Sequence, residues 1–144
     1  MVQTLENLYV KEPLAVYIAG PLNAPTAVDY IKNVHAMLKI ANQIRIRGHC
    51  CFIPCLDILL GVTVGDMEYD DYFNNSQLWL KRADAMYFMK ESPGASRELV
   101  TALENGLTVY TTMNEVPWVR KAFDSFAAPS KWIAPLMGEE DVVV

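Results

Sequence analysis

One carboxylate near the start of a predicted helix is the strongest candidate for chemistry in this sequence. Glu98 follows Ser92-Pro93, which resembles a helix N-cap with a proline at the first helical position, and Asn105-Gly106 resembles the matching stop. A carboxylate there can simply be stabilised by the helix dipole. It can also be a nucleophile that attacks an anomeric carbon whose transition state resembles an oxocarbenium ion, as in retaining glycosidases.

The residues that precede Glu98 can bind an anion. By default the Ser92 hydroxyl caps the helix predicted over 93–105. The same hydroxyl, together with the free backbone amides of Gly94 and Ala95, can hold a phosphate group at the helix N-terminus. Both interpretations stay open on local sequence alone.

Other side chains that could take part lie in an apolar strand and in an acidic stretch. Tyr17 has the alternation of a core tyrosine, and a nearby carboxylate could accept a hydrogen bond from its hydroxyl. The acidic stretch lies at the start of a helix predicted over 67–82, where acidic residues are usually solvated. It consists of Asp66, Glu68, Asp70 and Asp71. Within that helix, Tyr72 or Phe73 could stack on a base, although core packing is the commoner use.

Alternating strands and helices must position these residues. The apolar runs at 14–20, 50–53, 85–89 and 107–111 predict strands buried on both faces, and helices are predicted over about 26–47, 67–82 and 93–105. Such alternation indicates an α/β fold: a three-layer, open, mostly parallel sheet of the Rossmann or flavodoxin type with helices on both faces. Ligands bind such sheets beyond the carboxyl ends of the strands, where the strand order reverses. If the first and third predicted strands are neighbours there, the Gly20-Pro21-Leu22-Asn23 loop faces the loop at 91–98.

The composition describes one domain that does not bind polyanions. The 144 residues are 52% hydrophobic, with 17 acidic residues against 12 Lys and Arg and a net charge of −5. This length fits a single domain over 1–144, with its core at about 14–112, and the charge argues against a nucleic-acid polymer as partner. The tail at 113–144, with a possible helix at 116–126, is expected to pack on the domain or on a second subunit. The segment 54–65, around Gly61 and Gly65, is expected to be a loop.

The cysteines and the apolar runs bear on location and metal content. Cys50, Cys51 and Cys55 are interpreted as reduced core thiols rather than metal ligands, since only His49 lies nearby as a further ligand. No apolar run approaches the roughly 20 residues of a membrane span, and no signal peptide is recognisable. We therefore expect a cytoplasmic protein without a membrane partner and without a metal.

Three sequence elements within residues 14–112 resemble those of a known family. The chain resembles the nucleoside 2-deoxyribosyltransferase superfamily, and most of all its branch of 2'-deoxynucleoside 5'-monophosphate N-glycosidases. The elements that carry the resemblance are Val16-Tyr17-Ile18-Ala19-Gly20, Leu80-Lys81-Arg82-Ala83-Asp84, and Ser92-Pro93-Gly94-Ala95-Ser96-Arg97-Glu98-Leu99 with Ala102 and Gly106. The third element is the specific one.

The resemblance implies an activity and residue roles. Glu98 would form a glycosyl-enzyme ester and Tyr17 would orient it. Transferases acting on free nucleosides tend to have an acidic residue at the position of Ser92, where an aspartate would repel a 5'-phosphate, so serine favours a nucleoside 5'-monophosphate as substrate. The implied function is hydrolysis of the N-glycosidic bond to free base and (deoxy)ribose 5-phosphate, without a cofactor. The alternatives are a nucleoside 2-deoxyribosyltransferase and a non-catalytic nucleotide-binding or sensor protein.

Two positions depart from the family pattern. Relatives commonly place an aspartate, the general acid for the leaving base, where this chain has Ser76; Asp71, five residues earlier, could substitute only if the helix is irregular. The loop after the first strand also lacks the arginine that some nucleotide hydrolases use for phosphate, so Gly20, Pro21 and Asn23 would have to bind through backbone amides and the Asn23 side chain. The resemblance further implies a homodimer or larger homo-oligomer, for which the tail residues Trp118, Phe123, Phe126 and Trp132 could provide a contact.

Overall fold

The computed structural model of the protein describes residues 8–122, in which parallel strands alternate with helices. The strands are β1 (Tyr9–Val10), β2 (Ala15–Ala19), β3 (Cys50–Phe52), β4 (Ala85–Phe88), β5 (Thr108–Tyr110) and β6 (Trp118–Val119). The helices are α1 (Ala27–Ile46), α2 (Asp57–Val64), α3 (Tyr69–Arg82) and α4 (Pro93–Glu104), with short 3-10 turns at Pro54–Leu56 and Met113–Glu115.

The main sheet has the strand order β3-β2-β4-β5, and every pairing in it is parallel. β2 and β4 are central neighbours, with Tyr17 opposite Met86 and Ala19 opposite Phe88. The chain leaves β2 toward β3 on one side and β4 toward β5 on the other, so the strand order reverses between β2 and β4. This confirms the predicted α/β class and places the predicted crevice at the ends of these two strands.

The two faces of the sheet are covered by different helices, which makes three layers. Val16 and Ile18 of β2 point to the face where the α1 residues Met37 and Ile44 are buried. The alternating residues Tyr17 and Ala19 point to the opposite face, against α3 and α4. The period-2 alternation of an apolar strand therefore fills two cores at once.

The predicted loop at 54–65 is mostly helical, so that prediction was wrong. α2 covers Asp57–Val64 and ends at Gly65, whose φ of 74° is the left-handed conformation common just after a helix. The helix has no buried residue. Hydrophobic periodicity could not reveal it, because its apolar residues surround the axis instead of forming one stripe.

The segment after β5 also differs from its prediction. Residues 116–119, predicted to begin a helix, include β6, which pairs in parallel with β1 in a second, two-stranded sheet. Val116 is buried in the α1 core, and the Arg47 side chain donates a hydrogen bond to the Val116 carbonyl. The first part of the predicted tail thus packs on the domain, whereas residues 123–144 lie outside the described residues.

A buried histidine connects this segment to the main sheet. His49 accepts a hydrogen bond from the Leu14 N–H at Nδ1 (3.0 Å), so its Nε2 carries the proton that is donated to the Pro117 carbonyl (2.6 Å). Burial lowers the pKa of His49, with the nearby Arg47 charge adding to the effect. The neutral imidazole therefore joins the start of β2 to the segment that precedes β6.

α1 has buried residues at Met37, Ala41 and Ile44, whereas Ile31 in its first half is 64% exposed. Among the helices within residues 8–122, none combines the length and apolar character required to cross a lipid bilayer.

Candidate active site

A crevice of about 590 Å³ lies beyond the carboxyl ends of β2 and β4. Its volume is in the range of small-molecule sites. Its walls come from four places: the loop after β2, the start of α4, the turn and helix that follow β3, and the first half of α3. Its lining residues are Ile18, Gly20, Pro21, Leu22, Asn23, Tyr30, Pro54, Asp57, Ile58, Tyr69, Tyr72, Phe73, Ser76, Ser92, Pro93, Gly94, Ala95, Arg97 and Glu98.

Glu98 lies in this crevice and is held by Tyr17 from behind. The Tyr17 hydroxyl donates a hydrogen bond to Glu98 Oε1 at 2.6 Å, across the interface between β2 and α4. Tyr17 itself is fully buried, and its ring stacks on Phe52 with centroids 5.3 Å apart. A buried, stacked ring fixes the position of the hydroxyl, so this contact orients the carboxyl group of Glu98.

The surroundings change the acidity of both groups. Burial raises the pKa of Glu98 from its ordinary 4.5 to about 7, although the Tyr17 hydrogen bond and the Arg97 charge lower it. Burial, followed by the negative charge of Glu98, raises the pKa of Tyr17 well above its ordinary value. Glu98 is therefore divided between acid and carboxylate near neutral pH, whereas Tyr17 stays protonated and remains a donor.

The start of α4 forms the anion-binding side of the crevice. The Ser92 hydroxyl oxygen caps the helix by accepting a hydrogen bond from the Ala95 N–H at 3.1 Å. The Ser92 O–H is not used in that bond and can still donate to a ligand. A Cβ built on Gly94 meets no atom within 4 Å, so open space lies above this residue. The structure thus brings Ser92, Gly94 and Ala95 to one end of the crevice that also contains Glu98.

The loop after β2 forms the opposite wall, where Gly20, Pro21 and Asn23 all line the crevice. A Cβ at Gly20 would lie 3.0 Å from the Met89 sulfur, so a side chain there would crowd the residue that follows β4. Asn33 of α1 donates its side-chain amide to the Leu22 carbonyl at 3.2 Å. The Asn33 contact holds the loop against α1, and the close approach of Gly20 to Met89 leaves little room for a side chain at this glycine.

Of the two candidates on α3, only Ser76 lies in the crevice. Ser76 is 7% exposed and lies beside the Tyr17 hydroxyl, whose pKa its hydrogen bond lowers. Asp71 does not line the crevice; its Oδ2 accepts a hydrogen bond from the Glu68 N–H at 2.9 Å and caps α3. α3 runs as one regular helix, so the irregularity needed to bring Asp71 to the Ser76 position is absent from this part of the chain.

Sequence reasoning missed two charged residues of the crevice. Asp57 lies at the first position of α2, in the segment predicted to be a loop, and its Oδ2 accepts a hydrogen bond from Asn75 Nδ2 at 3.0 Å. Arg97, next to Glu98, is the cationic side chain among the residues that line the crevice within the described chain. Both follow strands at the carboxyl edge of the sheet, which is the sequence signal that could have identified them.

Aromatic side chains of α3 form the remaining wall. The Arg97 guanidinium lies 4.8 Å from the centroid of the Phe73 ring and donates a hydrogen bond to the Tyr69 hydroxyl. Tyr72 packs its hydroxyl directly against Gly61 of α2, where no side chain would fit. The wall is therefore aromatic, and the Arg97 guanidinium packs against its Phe73 ring.

The possible metal ligands and the cysteines of the described residues form no metal site and no disulfide. Within residues 8–122, no group of three or more His, Cys, Asp and Glu side chains could hold a metal ion. Cys50, Cys51 and Cys55 are free thiols, and burial raises the pKa of Cys51 to about 12. The prediction of core thiols is confirmed for Cys55, which is buried in a 3-10 turn, and is wrong for Cys50, which is exposed.

Comparison with known proteins adds a family without a known activity. The sequence profile of the family described as a domain of unknown function (DUF4406) matches residues 14–111, which is more than half of the chain. The matched region contains every strand of the main sheet and every residue that lines the crevice. No curated protein matches the chain.

Proposed function

We propose that this chain, which belongs to the DUF4406 family, hydrolyses the N-glycosidic bond of (2'-deoxy)nucleoside 5'-monophosphates to free base and (deoxy)ribose 5-phosphate. The observation that carries the proposal is the hydrogen bond of 2.6 Å from the buried Tyr17 hydroxyl to Glu98 inside the crevice. It supports a positioned carboxylate nucleophile rather than a carboxylate that only stabilises a helix end.

The first half of the reaction uses Glu98 as nucleophile. A Glu98 carboxylate oxygen attacks C1' of the sugar as the bond from C1' to the base nitrogen breaks, and a glycosyl-enzyme ester forms. The Glu98 carboxylate is poorly solvated, and this burial raises its pKa to about 7. Little further water has to be removed from the carboxylate when the substrate binds. The Tyr17 hydroxyl holds Glu98 Oε1 in place while the carboxylate loses its negative charge to the new ester bond.

The start of α4 and Arg97 support recognition of the 5'-phosphate. The helix N-terminus attracts an anion, Ser92 and Gly94 present donors there, and the Arg97 guanidinium lies on the same helix within the crevice. Arg97 supplies the positive charge that the loop after β2 lacks. The opposite wall, formed by Gly20, Pro21 and Asn23, then contacts the sugar.

The aromatic wall supports a base as the leaving group. Tyr72 and Phe73 line the crevice from α3, where the Arg97 guanidinium lies 4.8 Å from the Phe73 ring centroid. Stacking on such rings tolerates different bases, since every base has a flat face. The proposed substrate therefore spans the crevice from the start of α4 to α3, with C1' near Glu98.

The test is base release from ribo- and deoxyribonucleoside 5'-monophosphates and free nucleosides, measured by chromatography with wild-type protein and Glu98→Ala. Glu104→Ala is the matched control, because Glu104 is an exposed carboxylate at the far end of the same helix. We expect release from monophosphates that disappears in Glu98→Ala and persists in Glu104→Ala. Release that persists in Glu98→Ala would contradict the assignment of the nucleophile.

The same experiment separates the two alternatives. Formation of a new nucleoside when a second base is added would assign a deoxyribosyltransferase instead of a hydrolase. Nucleotide binding without release from any substrate, with unchanged affinity in Glu98→Ala, would assign a binding or sensor protein.

The homo-oligomer predicted from the sequence stays a prediction. Large apolar side chains of α2, among them Leu59 and Val62, are 65% and 76% exposed in the single chain. Apolar patches of this kind commonly mark interaction surfaces.

A further inference from the structure

Cleavage of an N-glycosidic bond requires a proton at the departing base. The base takes both electrons of the broken bond, and an unprotonated base anion is a poor leaving group, so a general acid contributes about 10²- to 10⁴-fold to such reactions. Tyr17 is unsuited to this task because its proton is donated to Glu98 and burial raises its pKa. Ser76 is a hydroxyl and stays protonated at neutral pH.

Asp57 is the second carboxyl group among the residues that line the crevice in the described chain. It is half-buried at the start of α2, and Asn75 holds its Oδ2 at 3.0 Å. Asn75 immediately precedes Ser76 on α3, so this contact fixes the Asp57 carboxyl group at the wall where α2 meets α3. The other oxygen, Oδ1, is not occupied by that contact.

Asp57 and Glu98 share one chamber. Both carboxyl groups act on the Tyr17 hydroxyl, each raising its pKa, and Glu98 has the larger effect. Ile58, Tyr72 and Phe73 line the same crevice as Asp57 and form the apolar wall proposed for the base. A base that stacks there presents its ring nitrogens within the chamber that Asp57 lines.

We propose that Asp57, held by Asn75, is the group that gives a proton to the departing base and later removes a proton from the attacking water. This inference rests on the proposed N-glycosidase activity and assigns its acid-base residue.

The proposed cycle balances with one proton shuttled by one side chain. In the first half, the Asp57 carboxyl proton moves to a ring nitrogen of the base as the bond to C1' breaks and Glu98 forms its ester. In the second half, water attacks C1', its proton moves to the Asp57 carboxylate, and the bond between C1' and the Glu98 oxygen breaks. Glu98 leaves as carboxylate, and Asp57 is again protonated.

The test uses two leaving groups and the full-length protein. One substrate is the natural monophosphate that is cleaved fastest; the other is 4-nitrophenyl 2-deoxyribofuranoside 5-phosphate, whose nitrophenolate departs without a proton. Asp57→Asn is the informative variant because the asparagine oxygen can still accept the hydrogen bond from Asn75. Asp70→Asn, an exposed acid at the start of α3, is the matched control.

We expect Asp57→Asn to lower kcat/KM about 10²-fold or more for the natural nucleotide and only a few-fold for the nitrophenyl substrate. Glu98→Gln loses activity on both substrates. The circular dichroism spectrum and nucleotide affinity of Asp57→Asn stay close to those of the wild type.

Three results would overturn the proposal in distinguishable ways. Equal losses of Asp57→Asn on both substrates would make Asp57 a positioning residue rather than an acid. The leaving-group pattern in Asp71→Asn, with Asp57→Asn active, would assign the acid to Asp71 and leave the N-glycosidase activity standing. Failure of the wild type to cleave either substrate would remove the proposed function together with this inference.

Discussion

Replacing Glu98 by glutamine should stabilise the protein as the pH rises, because the carboxylate is held in a place that disfavours its charge. Burial raises the pKa of Glu98 from 4.5 to about 7. Glutamine has nearly the same shape, and its oxygen can still accept the Tyr17 hydrogen bond. The variant therefore removes the ionisation of Glu98 with little change in packing.

The sign follows from proton binding in the two states. Below about pH 4.5 the folded and unfolded chains both carry the Glu98 proton, so ionisation costs nothing. Between about 4.5 and 7 the unfolded chain loses the proton more readily than the folded protein, so the free energy of unfolding falls. Above about 7 both states are ionised and the loss is complete.

The loss corresponds to about 3 kcal/mol, at about 1.4 kcal/mol for each tenfold change in proton affinity. Most of it falls between about pH 4.5 and pH 7. This is a substantial fraction of the about 5–15 kcal/mol that stabilises a typical domain.

The assay is urea unfolding of wild-type protein and Glu98→Gln, followed by circular dichroism across this pH range. The free energy of Glu98→Gln minus that of the wild type should rise with pH and then level off near pH 8, with similar urea dependence in both proteins. Other titrating groups contribute equally to both and cancel. A difference that stays flat, or one that falls with pH, would refute the assignment of Glu98 as a buried carboxylate with a raised pKa.

Two further predictions concern the phosphate-binding end and the buried histidine. Arg97→Gln should raise KM for nucleoside monophosphates about 10- to 100-fold and leave KM for free nucleosides unchanged. The rise corresponds to the loss of one charge-assisted hydrogen bond of about 1.5–3 kcal/mol. An equal rise for both substrates in steady-state assays would contradict phosphate binding by Arg97. Because the pKa of His49 is lowered from 6.5 in the folded protein, its stabilising contribution is present above that value and lost as the pH falls below it. The melting temperature of the wild type should therefore fall relative to that of His49→Gln as the pH drops from about 7 to about 5.5, and parallel pH profiles would exclude this role.

The sheet and its two functional loops could be predicted because strong local signals define them. Val16 to Ala19 form an unbroken apolar strand that ends at Gly20, and Ser92-Pro93 marks the start of α4. The rule that ligands bind where strand order reverses then brings these loops together. The hydrogen bond between Tyr17 and Glu98 joins residues 81 positions apart. Local sequence indicates only that some carboxylate could accept from the tyrosine, and the family resemblance identifies Glu98 as that carboxylate.

The wall formed by α2 and α3 could not be predicted in the same way. The apolar residues of α2 surround its axis and form no stripe, so periodicity does not distinguish this helix from a loop. Asp57 therefore lay in a segment whose conformation could not be derived. The sequence indicates Asp71 instead, because it precedes Ser76 on the same helix, but the Asp71 carboxylate caps α3.

The absence of buried residues in α2 has a consequence for how this protein can diverge. The loop after β2 and the start of α4 are continuous with the central strands, so changes there disturb the core and the nucleophile together. α2 is joined to α3 through polar and surface contacts, such as that of Asp57 with Asn75 and the close approach of Tyr72 to Gly61. Substitutions on α2 at positions other than Asp57 and Gly61 consequently carry little cost in folding free energy. Selection can therefore alter the wall that faces the base while the sheet, Tyr17 and Glu98 stay unchanged, which separates the evolution of base preference from that of the reaction.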